Sequence, residues 1–240
     1  MAQITLQDVK QQHENQVSLV SKGLAQNRNR TFAINLVRTT HEKIDAAVAT
    51  VKKQPGVHFD CKPGCAYCCA NRIEALPPEI FVIAAELRKL PEAELTAVTA
   101  RLREHAEKAR GLRPEHHQLP CPLLKDSQCS VYEHRPSPCR RVHSEDVEEC
   151  KRPDGIIPES EELNLRFLGV YNGTVEGYLK RQLPAYPHEL GQAVLRAVED
   201  PTCEERWYKG EQVFEFMPDM DEMLTASRPI EIGAPRPTRG

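Results

Sequence analysis

Apolar residues return at helical spacing over most of this chain, and few stretches alternate with the period of two that a half-buried strand needs. Leu6, Val9, Val17 and Val20, with His13 between them, mark one face of a run from about Thr5 to Lys22, and Gly23 is placed to end it. Leu36, Val37, Ile44, Val48 and Val51 mark a second run from about Asn29 to Lys53, closed by Pro55-Gly56. Pro77-Pro78-Glu79 opens a helix carrying Ile80, Phe81, Ala84 and Leu87. Pro91 opens another, with Leu95, Val98, Leu102 and Ala106 on one side, fading near Gly111. Helical spacing returns at Leu168, Tyr171, Val175, Tyr178 and Leu179, and again after Pro187 at Leu190, Val194 and Val198, ahead of Trp207, Phe214 and Phe216. No internal repeat of about 20–50 residues is present, which sets a solenoid aside.

Two segments break this rhythm. Val57 to Asn71 has no period, and Pro114 to Pro158 offers short helical turns at most, with an extended piece expected at Ser130-Val131-Tyr132. The predicted fold class is therefore mainly α, a small helical domain with two cysteine-rich, loop-dominated metal-binding segments. The expected layout is an N-terminal helical hairpin over residues 1–56, a cysteine-cluster core with two intervening helices over 57–158, C-terminal helices packing on it over 159–224, and a disordered tail over 225–240.

The irregular segments hold eight of the nine cysteines. Cys61, Cys65, Cys68 and Cys69 fall within nine residues, and Cys121, Cys129, Cys139 and Cys150 follow at intervals of seven, nine and ten intervening residues. A chain of 240 residues with 40% apolar residues can bury a core without covalent staples, and an odd cysteine count disfavours a closed disulfide set. Metal ligation is the remaining explanation: short gaps let sulfurs converge, and soft thiolates select zinc, Cu(I) or iron–sulfur clusters over hard cations. Side chains of adjacent residues diverge, so Cys68 and Cys69 can reach two ions or two edges of one cluster. Zinc knuckles pair cysteines at short matched gaps, so the irregular second group leans towards iron–sulfur or iron, with zinc the alternative.

Other residues are weighed against these eight. Cys203 stands alone after Asp200-Pro201 and is left out of the site. His58, His116, His117 and His143 could offer nitrogen but are expected on the surface, with His143 the one worth testing. Among Arg135, Arg140, Arg141 and Arg152, Arg140 beside Cys139 is the first candidate to stabilise the negative charge of a thiolate site. Glu79 reads as a first-turn helix residue, not a catalytic acid. A net charge of −3 with interspersed signs predicts no nucleic-acid partner. The polar start and the lack of any long apolar stretch predict no membrane association and a cytoplasmic location, leaving a protein partner or substrate of unknown identity.

One family shares these motifs. The cluster ending Cys68-Cys69, L-P-P-E at Leu76 to Glu79, C-P-L-L at Cys121 to Leu124 and C-S-V-Y-E-x-R-P-x-x-C-R from Cys129 to Arg140 resemble the YkgJ-type cysteine-cluster family over roughly residues 58–152. Here the first cysteine gap has three residues where the commonest family motif has two. The resemblance implies a zinc- or iron-chelating domain, and the eight thiolates themselves predict a redox, metal-handling or structural role. Flagellin N-methylase is similar to the family in this region, which implies lysine methylase-like chemistry as an alternative, although no glycine-rich cofactor turn is present. The spacing C-x3-C-x-Tyr-C at Cys61, Cys65, Tyr67 and Cys68 also resembles radical S-adenosylmethionine enzymes, against which stand the helical pattern and the fourth cysteine.

Overall fold

A computed structural model describes residues 4–62, 64–152 and 157–219 of the chain. The tail expected over 225–240 lies outside the described residues.

Helix α1 (Leu6–Gln26) starts from a reciprocal cap, in which the Thr5 hydroxyl accepts the Asp8 amide and the Asp8 carboxylate accepts the Thr5 amide. It runs through Gly23, because one more turn buries Leu24, and it ends at the Asn27 cap. The second periodic run is divided into α2 (Arg30–Asn35) and α3 (Val37–Val51). The division falls at Leu36, whose carbonyl accepts both the amide and the hydroxyl of Thr39 in a tightened turn.

Strand β1 (Glu74–Ala75) leads into α4 (Pro77–Leu87), and α5 (Glu92–Ala109) follows from Pro91. Strands β2 (Leu124–Lys125) and β3 (Gln128–Cys129) form a tight hairpin, with Asp126 and Ser127 both at positive φ, 52° and 59°. Short helices α6 (Ser137–Arg141) and α7 (Val147–Cys150) precede α8 (Glu161–Leu179). Strand β4 (His188–Glu189) pairs antiparallel with β1 and passes directly into α9 (Leu190–Glu199), then α10 (Cys203–Tyr208). The architecture is mainly α with four two-residue strands among the described residues.

Helix α4 is the axis of the main core: every residue from Ala75 to Ala84 is buried. Phe81 packs against Trp207 and Phe214, and Trp207 donates from its indole to the Pro184 carbonyl. Around α4 lie α2, α5, α9 and α10.

The other half of the molecule is α1 laid along α8. Leu168, placed on the apolar face by spacing, is exposed, and Leu6 is 78% exposed. The contact is made by Gly169, Gly173 and Gly177 of α8, which let the α1 backbone approach closely. Buried between α1, α3 and α8, Gln16 donates to Thr174 and Thr40. A Cβ on Gly177 would stand 2.5 Å from the Val20 Cβ, so Gly177→Ala is expected to cost about 1–3 kcal/mol by overpacking. Gly23→Ala, whose Cβ would meet only ordinary contacts with Phe32 and Leu36, is expected to stabilise by about 0.5–1 kcal/mol. Urea unfolding followed through the fluorescence of the single tryptophan, Trp207, measures both.

Candidate metal centre

The two cysteine segments are held together by backbone before any sulfur is considered. The Cys121 amide donates to the Cys69 carbonyl at 2.8 Å, and Asn71 bridges to Gln118, so the end of the first segment lies antiparallel to the start of the second. At the other end the Asp60 amide donates to the Ser144 carbonyl, and the Asp60 carboxylate accepts the Val147 amide at 3.0 Å. Burial would raise the Asp60 pKa, but this amide first and then His58 hold it below the usual carboxylate range.

This pairing regroups the thiols. Cys61 has Cys65, Cys68 and Cys150 as electrostatic neighbours, whereas Cys139 has Cys121, Cys68 and Cys129. Cys150 thus leaves the second sequence cluster for the first spatial one, and Cys68 belongs to the surroundings of both. Ser144 sits at the first junction: its amide donates to the Cys61 sulfur at 3.2 Å and its hydroxyl accepts from the Cys150 thiol at 3.0 Å. Cys68 and Cys69 lie on one tight turn, Tyr67–Ala70, and the β2–β3 hairpin turns Cys129 back towards Cys121.

The acidities of these thiols follow from crowding. Cys68 is raised far above the thiol range, first by its hydrogen bond with Cys69 and then by burial. Burial pushes Cys121 up to about 12 and Cys139 higher than its ordinary value, with repulsion from neighbouring sulfurs adding to both. Burial also raises Cys61 and Cys129. Against this, the amides of Ser144, Leu123 and Val131 favour the thiolates of Cys61, Cys121 and Cys129. Packed sulfurs that resist ionisation alone yet face amide donors fit a soft cation, which would replace their protons and cancel the repulsion. None of the nine cysteines is in a disulfide.

Residues 60–156 match a family model whose description is "Putative zinc- or iron-chelating domain". That family is CxxCxxCC. No curated protein matches the chain, and no solved structure does. The CxxCxxCC segment contains all eight clustered cysteines and both helices, α4 and α5, that separate the two groups.

Flanking residues divide differently from expectation. Arg140 is buried, but its guanidinium goes to the Asp45 carboxylate and the carbonyls of Arg135 and Glu133, tying α6 to α3. The guanidinium that favours a thiolate is that of Arg135, which acts on Cys129 and lies 4.0 Å over the Tyr132 ring. Arg141 pairs with Glu159 and Asn164, and Arg152 with Glu149. The Ser130-Val131-Tyr132 piece is not extended: β3 ends at Cys129 and a tight helical turn spans Tyr132–His134. Cys203 is buried in the main core. His58 and His116 are exposed, and His143 is half-buried against Phe59. His117, expected on the surface, is 2% exposed and sits with His105 and Glu189, two residues that the sequence pattern did not single out.

Glu79 does what its first-turn position predicts, and more. Its carboxylate accepts the Leu76 amide at 2.9 Å, completing the start of α4. It also meets His41 of α3 at 2.9 Å and accepts the Ser137 amide at 2.7 Å, fixing the start of α6 two residues before Cys139. No helix among the described residues is long and apolar enough to cross a membrane.

Proposed function

We propose that the chain is a metal-binding protein whose thiolates Cys61, Cys65, Cys68, Cys69, Cys121, Cys129, Cys139 and Cys150 hold an iron–sulfur centre with a redox role. The observation that carries this reading is the interleaving of the two cysteine segments around Cys68, which makes one crowded thiol region out of residues up to 89 positions apart. Among the described residues no three of these sulfurs lie mutually within 4.8 Å. A cluster, whose thiolates bind different irons, can take sulfurs from separate segments at irregular sequence spacing. An open cleft of about 320 Å³, lined by Tyr67, Cys69, Cys150 and Lys151 among others, gives a partner or small reductant access to this region.

The test is elemental. Protein purified without oxygen is expected to contain iron and acid-labile sulfide in comparable amounts and to absorb broadly in the visible. Stoichiometric zinc in a colourless protein would replace the redox role with a structural one, and protein free of both metals would overturn the reading.

A further inference from the structure

Beside the thiols, near enough for Glu189 to act electrostatically on Cys121, three buried groups from three separate parts of the chain meet at one point. His105 comes from the last turns of α5, His117 from the segment after the tight turn Pro114–His116, and Glu189 from the junction of β4 and α9. Their relative exposures are 7%, 2% and 3%, and one ligand atom from each lies within 4.8 Å of the others. They are the one set of three such donors this close among the described residues. The Glu189 Oε1 is 3.0 Å from the His105 Nε2 and 3.8 Å from the His117 Nε2. Bonds of about 2.0–2.1 Å to a tetrahedral ion separate the donor atoms by roughly 3.3 Å, and the two distances straddle that value.

Proton placement sharpens the case. The His105 Nδ1 faces the Pro120 carbonyl at 3.2 Å, and a carbonyl only accepts, so Nδ1 carries the hydrogen. In the neutral ring, Nε2 then turns a lone pair towards a carboxylate oxygen 3.0 Å away, an arrangement that needs a positive charge between them. A second proton on His105 would supply one, but it would leave His117 unexplained: neither ring nitrogen of His117 has a hydrogen-bond partner in another residue, although both are buried. A metal ion meets all three needs together. The outer contacts are those that orient metal ligands: a carbonyl on the far nitrogen of His105, and the amides of Gly191 and Gln192 on the two oxygens of Glu189. Gly191 leaves room for the imidazole, since a Cβ there would stand 2.3 Å from the His105 Cδ2.

We propose that His105, His117 and Glu189 form a second metal site, distinct from the thiolate region, for a divalent first-row ion of borderline softness such as zinc or ferrous iron. Two imidazoles and one carboxylate leave a fourth position open, the donor set of a site that binds a water or a small anion.

Cobalt(II) tests this on the full chain, stripped of metal under reducing conditions. Cobalt bound by thiolates gives intense sulfur-to-metal charge-transfer absorption, and cobalt bound by nitrogen and oxygen gives weak ligand-field bands alone. The wild type is expected to bind one equivalent of the second kind by equilibrium dialysis, retained in Cys68→Ser and lost in both His117→Ala and Glu189→Gln. Glu189→Gln keeps an oxygen for the α9 amides, so its loss of cobalt does not depend on unfolding, which circular dichroism checks. An unchanged cobalt count in both folded variants, or wild-type cobalt with charge-transfer absorption only, would overturn the site. The thiolate reading fails by a different signal, the absence of charge transfer.

Discussion

Glu79→Ala is expected to lower the stability of the protein by about 3–5 kcal/mol, the range for removing one partner from a buried charged network. Glu79 is fully buried, and its loss leaves the Leu76 amide, the Ser137 amide and hydroxyl and the His41 ring without their acceptor. Burial pushes its pKa up, but the His41 and Ser137 contacts and the Leu76 amide outweigh burial and hold it below the usual glutamate range. A depressed folded value means that this stabilisation is complete above the ordinary glutamate pKa and is lost as pH falls through the folded one. Urea midpoints measured by Trp207 fluorescence from neutral to acid pH should therefore converge for wild type and Glu79→Gln at low pH. A Glu79→Ala protein within about 1 kcal/mol of wild type would show that the network is dispensable. Because Ser137 opens the helix that carries Cys139, metal content should fall in the same variant.

Cys68→Ser is expected to remove most of the metal from both thiol groups, while Cys150→Ser and Cys129→Ser each affect one. The asymmetry follows from position: Cys68 is an electrostatic neighbour of Cys61 on one side and of Cys121 and Cys139 on the other. Replacing a sulfur donor by a hydroxyl leaves a hard, protonated ligand that soft metals reject. Iron, zinc and sulfide counts for the three variants decide it, with thermal melts reporting the loss of the tie between segments. Equal partial losses in all three would mean that Cys68 has no special place.

What the sequence made legible was whatever hydrophobicity and punctuation encode. Pro77-Pro78 and Pro91 mark the starts of α4 and α5 because proline presets the first turn, and the eight cysteines stand out by density alone. The α1 and α8 pairing was not legible, since its seam is glycine, which carries no hydrophobic signal and acts through what it leaves out. The hairpin at Lys125 to Gln128 was missed for a related reason: Asp126 and Ser127 take positive φ without a glycine to announce it. Reading clusters along the chain put Cys150 with Cys139, whereas the Asp60 amide on the Ser144 carbonyl and the Val147 amide on the Asp60 carboxylate put it beside Cys61. Likewise a histidine in a polar stretch looks exposed, and only the fold shows His117 covered by α5 and the start of α9.

The glycine seam also sets a timetable for synthesis. Helix α1 is complete at Gln26, but the surface that covers it ends at Gly177, about 150 residues later. At roughly 5–20 residues per second, translation leaves the buried face of α1 without its partner for on the order of ten seconds or more. During that interval both cysteine segments emerge, so a thiol-rich, half-assembled chain meets the cell before α1 and α8 can pair.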